Sequence, residues 1–77
     1  MYMNLSIGEK IRILREDANL NQTQLGRSLN MTQRKVSYLE CGKYEPSIED
    51  IRAICYFFHI SSDYLLEIPS DFDYPKR

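Results

Sequence analysis

A chain of 77 residues suffices for one domain of modest core and leaves little room for a second domain or a catalytic cleft. Hydrophobic residues at 43% and charged residues at 27% are ordinary for a globular protein and exclude extended disorder. The longest uncharged apolar stretch, residues 54–60, is too short to span a bilayer, and no signal peptide is recognisable, so a cytoplasmic protein without a membrane partner is expected.

Taken in chain order, the first helix opens at Ser6 with Glu9 three residues on. This is a capping box, in which the two side chains satisfy amides that the first turn leaves unpaired. Ile7, Ile11, Leu14 and Ala18 continue at helical spacing and predict a helix over 6–17. Asn21 with Gln24 opens a second helix over 22–29, carrying Leu25 and Leu29, and Asn30 supplies the left-handed stop. Thr32 caps a third over 33–40, in which Val36 and Leu39 face inward; Gly42 ends it and Pro46 prevents continuation. Ser47 with Asp50 opens a fourth over 47–58, with Ile48, Ile51, Ile54, Cys55 and Phe58 as its apolar row. Ser61 or Ser62 caps a fifth over 62–67. No stretch alternates like a strand, so the expected fold is all-α with five short helices. The domain covers 1–68 and a short, aperiodic tail covers 69–77.

The net charge of −1 speaks at first against a nucleic-acid partner, but its distribution speaks for one. Between Gln22 and Lys43, Arg27, Arg34, Lys35 and Lys43 stand against Glu40 alone, whereas the segment from Ser61 onward is acidic. The second and third helices are joined by only Asn30, Met31 and Thr32, which forces a steep crossing, and Gly26 provides the small residue that close approach needs. Winding the third helix at about 100° per residue sends Gln33, Arg34, Ser37 and Tyr38 to the outer side. Arg34 suits the paired acceptors of guanine and Gln33 the donor and acceptor of adenine, near the start of a helix that can enter the major groove. Lys35 flanks this row and suits phosphate. Tyr38 has three readings: stacking on a sugar, touching a thymine methyl, or covering the apolar seam.

The pattern resembles the helix-turn-helix domain shared by phage repressors, Cro proteins and XRE-type regulators. It is carried by Ile11, Leu14, Arg15, Leu20, Asn21, Gln22, Leu25, Gly26, Thr32, Val36, Leu39, Glu40, Gly42 and Pro46, then Ile51, Ile54, Phe58, Ile60, Asp63 and Leu65. The resemblance implies a lambda-repressor-like five-helix fold and a transcription regulator, by expectation a repressor, that binds double-stranded DNA. It implies base reading by Gln33, Arg34 and Tyr38, phosphate contacts from Gln22 and Lys43, and a structural ion pair between Arg15 and Glu40; Ser37, on the same outer side, is counted with the base-reading residues, and Thr32 and Lys35 with the phosphate contacts. Two positions depart from the pattern: Asn30 stands where relatives often have Gly, and Cys41 where they often have Asn or Arg.

Cys41, Cys55 and His59 are too few and too scattered for a zinc site or a disulfide framework, and no metal or cofactor is expected. Cys41 falls beside Arg34, where an oxidisable thiol could gate binding, although a small tolerated residue is the simpler reading. Cys55 reads as core. No Gly-rich phosphate loop or nucleophile with its base is present, and Glu49 and Asp50 read as capping charges, so neither an enzyme nor a small-molecule substrate is expected. Tyr56, Phe57, Tyr64, Leu66 and Ile68 form an aromatic-rich C-terminal region, read as a homodimer interface. The competing function is an antitoxin-like module that holds another protein through this acidic, aromatic end.

Overall fold

The structure, a computed structural model, describes residues 5–67. Five helices follow in the order α1 (Ile7–Asp17), α2 (Gln22–Leu29), α3 (Gln33–Cys41), α4 (Ile48–Phe58) and α5 (Ser62–Leu66), with no strand among the described residues. No helix among them is long and apolar enough to cross a membrane. Each differs from the expected span by a residue or less at either end, because Ser6 and Ser47 are caps rather than helical residues, Cys41 extends α3, and Glu67 is the stop after α5.

Every helix start is held by a side chain. Ser6 with Glu9, Asn21 with Gln24 and Ser47 with Asp50 form complete capping boxes, and Thr32 and Ser61 cap α3 and α5. The ends are sharp: Asn30, His59 and Glu67 adopt φ of 58°, 55° and 56°, and Gly42 adopts φ 84°. Such left-handed stops let the chain reverse within two or three residues.

The reversals bring Ile11, Leu25, Val36, Leu39, Ile54 and Leu65 into one buried core drawn from all five helices. Ile7, Leu14, Leu20, Leu29, Ile51, Cys55 and Phe58 pack around it half-buried. Two members of the apolar rows do not join it: Ala18 is exposed as the cap of α1, and Ile48 is 76% exposed at the first position of α4. Helical spacing identifies a face, but the first turn of a helix can overhang the core it points toward.

Lys10 is buried, although nothing local in the sequence distinguishes it from a surface lysine. Its ammonium donates to the Tyr64 carbonyl at 2.8 Å, pairs with Glu67 at 3.1 Å and lies 5.1 Å from the centre of the Tyr64 ring. The end of α5 leaves carbonyls unpaired and places Glu67 at the negative pole of a helix, so a cation there satisfies both. Lys10 thereby fastens the first helix to the last.

Candidate nucleic-acid interface

The turn between α2 and α3 is set by backbone contacts. With Asn30 left-handed, the Met31 amide reaches back to donate to the Gly26 carbonyl at 2.7 Å. A Cβ on Gly26 would stand 2.6 Å from the Met31 carbonyl oxygen, closer than side chains approach, so the turn requires glycine there.

Across this turn, the exposed side of α3 begins with Gln33 and Arg34. Ser37 and Tyr38 are half-buried. The Tyr38 ring meets Tyr44 edge to face at 5.0 Å between centres, and the Lys43 ammonium lies 5.1 Å from the Tyr38 ring centre. Ser37 lines a shallow polar cleft of about 260 Å³ with Arg12, Arg15, Gln22, Glu40 and Cys41, so α1, α2 and α3 share one polar surface. The ion pairs among the described residues engage Lys10, Arg12, Arg15 and Lys35, leaving Arg34 and Lys43 without a carboxylate partner there.

Behind this surface lies an internal ion pair. The Arg15 Nε and Nη2 donate to the two Glu40 oxygens at 2.6 and 3.1 Å, and Nη1 donates to the Leu20 carbonyl at 2.9 Å. Both side chains are largely buried, and the hydrogen bond to Glu40 raises the Arg15 pKa further. Glu40 Oε1 also accepts from Gln22 Nε2 at 3.1 Å, and Gln22 Oε1 in turn accepts from Gln33 Nε2 at 2.6 Å. The geometry thus joins the start of α3 to the ion pair through the first residue of α2.

Lys35 is drawn back toward α4, where its ammonium donates to Asp50 at 2.9 Å. Thr32 Oγ1 accepts from the Lys35 amide at 3.1 Å as the cap of α3. Asp50 therefore has two tasks, since its other oxygen accepts from the Ser47 amide at 3.0 Å. Burial pushes its carboxyl pKa up, but the Lys35 and Ser47 hydrogen bonds outweigh that and the net shift is downward. A carboxyl with a depressed folded pKa contributes stability that is full above its unfolded pKa and is lost as pH falls through the folded value. The melting temperature is therefore expected to drop between about pH 5 and about pH 3, and Asp50→Asn should make that drop shallower. Glu9, lowered by its Ser6 bonds, acts in the same window and would account for part of the slope that remains.

A family model described as a helix-turn-helix domain matches residues 6–65. The chain belongs to that family. Among solved structures, the helix-turn-helix domain resembles the DNA-binding domain of the P22 c2 repressor in solution, with a TM-score of 0.77 at 31% identity, covering 86% of this chain and 88% of that one. It also resembles the P22 c2 repressor crystallised with a synthetic operator, with a TM-score of 0.75 at 29% identity, covering 80% and 94% of the two chains. Among curated proteins it is 36% identical over 62 residues to the HTH-type transcriptional activator BcrR of Enterococcus faecalis. That match covers 80% of this chain but spans only 30% of BcrR's length. The repressor-type relationship expected from the residues is thus present, and with it the all-helical fold.

On α4, Tyr56 is 76% exposed. It lines an apolar groove of about 360 Å³ with Ile48, Ile51, Arg52, Cys55 and Leu66. Burial raises the Cys55 pKa, which favours the protonated thiol. The other C-terminal residues are less united: Phe57 packs edge to face on Phe58 at 4.9 Å, and Tyr64 sits beneath Lys10. Ile68 and the tail lie outside the described residues. Sequence reasoning missed the Asp50 contact to Lys35 and the link from Glu40 through Gln22 to Gln33. Both join residues on different helices, and only the known register of the turn could have suggested the second.

Proposed function

We propose that this domain is a sequence-specific, double-stranded-DNA-binding regulator of transcription that lays α3 in the major groove. The observation that carries this reading is the pair Gln33 and Arg34, both exposed at the start of α3. A planar guanidinium and an amide presented there are the groups that pair with base edges. Ser37 and Tyr38 continue the base-facing row. Gln22, Thr32, Lys35 and Lys43 surround it on the phosphate side, with the ammonium of Lys35 sharing its charge with Asp50. The amino-terminal ends of α2 and α3 add amides that favour anions.

Repression is the favoured output, because the likeness to the P22 c2 repressor spans nearly the whole of that chain, whereas the likeness to the activator BcrR spans a minor part of it. A homodimer through the C-terminal region that carries Tyr56, Phe57, Tyr64 and Leu66 would set two α3 helices about 34 Å apart, one helical turn of DNA. The apolar groove at Tyr56 also supports the alternative in which this end holds another protein.

The test is a titration on promoter duplexes and on scrambled controls. Affinity should fall steeply with salt. Arg34→Ala should reduce the preference for one base by about tenfold or more while binding to scrambled duplex weakens much less. Equal binding of the wild-type protein to every duplex would refute sequence-specific recognition.

A further inference from the structure

Two large apolar side chains on α4 are left out of the core. Ile48 and Tyr56 are each 76% exposed, and both line the groove of about 360 Å³ that α4 forms with Leu66 of α5. They stand eight residues apart on one helix, which sets a length of about 12 Å between them. Ile51 and Cys55, half-buried, line the groove over that length. Apolar surface of this extent is better covered than left to water.

Arg52 gives the groove its charge. It is exposed on the same wall, and none of the ion pairs among the described residues includes it. An arginine can lay its stem along an apolar wall while its guanidinium stays at the rim. The groove therefore suits a segment that offers apolar rings with carboxylates beside them.

The chain itself carries such a segment. Beyond Glu67 it continues to Phe72 and Tyr74, each preceded by an aspartate, Asp71 and Asp73. In an extended chain residues two apart share a side, so both rings can face one way and both carboxylates the other. Reach is sufficient: Leu66 is on the groove wall, and the six residues from it to Phe72 can span up to about 20 Å.

We propose that segment 71–74 docks along α4 of its own chain, with Phe72 and Tyr74 covering the groove between Ile48 and Tyr56 and the aspartates meeting Arg52 at the rim. Tyr56 and Leu66 also belong to the C-terminal region read as the dimer face. A seated tail and a second copy exclude one another there, a consequence that rests on that reading.

Cys55 reports on the groove, because its half-buried thiol lines it. Its rate of reaction with an uncharged maleimide is measured in the full chain carrying Cys41→Ser, which removes the exposed thiol, with melting curves establishing that each variant is folded. Phe72→Ser with Tyr74→Ser should speed the reaction about tenfold or more. Arg52→Glu should speed it about threefold, and adding Asp71→Lys and Asp73→Lys to Arg52→Glu should restore the slow rate. Charge alone acts in the opposite sense, since a carboxylate near a thiol disfavours the reactive thiolate and an ammonium favours it. Dilution should leave the slow rate unchanged, as for a contact within one chain.

Equal rates with and without Phe72→Ser and Tyr74→Ser would overturn the docking. So would a slow rate that is lost on dilution, which would give the groove to a second copy. Sedimentation isolates the dimer reading: the Phe72→Ser, Tyr74→Ser protein should self-associate at about tenfold lower concentration, because its face is no longer occupied. If Cys55 reacts faster in that protein while self-association is unchanged, the tail holds the groove and the dimer face lies elsewhere.

Discussion

Glu40→Ala is expected to cost about 3–5 kcal/mol of folding stability, the largest effect of any single side-chain truncation at the interface. A domain of this size is stable by roughly 4–11 kcal/mol, so much or all of its margin would go. The reason is what remains behind. Arg15 is 12% exposed and would keep its charge, with the Leu20 carbonyl as its remaining acceptor. Gln22 would lose its acceptor as well. Urea denaturation should show a lower midpoint with an unchanged slope, as for a loss of native stability alone. Replacing both partners, as in Arg15→Met with Glu40→Leu, should recover a substantial part of the loss, because an apolar pair strands no charge. A Glu40→Ala protein of wild-type stability would show that the pair is screened by water and contributes little.

Gly8→Ala is expected to destabilise by about 3 kcal/mol, although alanine is the better helix former. Gly8 lies in the first turn of α1, against the last turn of α3. A Cβ there would collide with the Leu39 carbonyl oxygen and stand 2.5 Å from that of Glu40. These are backbone atoms inside a helix, so neither can swing aside as the tip of a side chain can. The whole of α1 would have to lift, loosening Ile11 in the core and stretching the Arg15–Glu40 pair at once. Gly42→Ala is the informative comparison, since it meets no atom within 4 Å and suffers only from its φ of 84°. Its cost should be near 1 kcal/mol. Equal losses in the two variants, read from thermal unfolding, would mean that the helix contact at Gly8 yields easily.

The contrast between these residues shows what the sequence could disclose. Helix starts were legible because a capping box is local: Ser6, Asn21 and Ser47 each find their partner three residues on. The stops at Asn30 and Gly42 and the close approach at Gly26 were legible for the same reason. The exposed pair at the start of α3 followed from its angular place relative to Val36 and Leu39. What escaped was relational. Gly8 gives no sign that it meets a backbone 31 residues later. Lys10 looks like any solvated lysine until α5 is laid against it, and Asp50, read as a cap, also compensates Lys35. Ile48 erred the other way, since periodicity enrolled it in a core that stops short of its turn.

Three helices end on left-handed residues that carry a side chain, Asn30, His59 and Glu67, and a fourth, Asn19, follows α1. Asparagine accepts that geometry more readily than histidine or glutamate, for which crowding of Cβ against the neighbouring carbonyl costs roughly 1–2 kcal/mol. Asn30 forms the turn that sets α3 against α2, whereas Asn19, His59 and Glu67 lie outside that turn. Heat tolerance can therefore drift up or down at those three corners, one at a time, while what the molecule recognises stays the same.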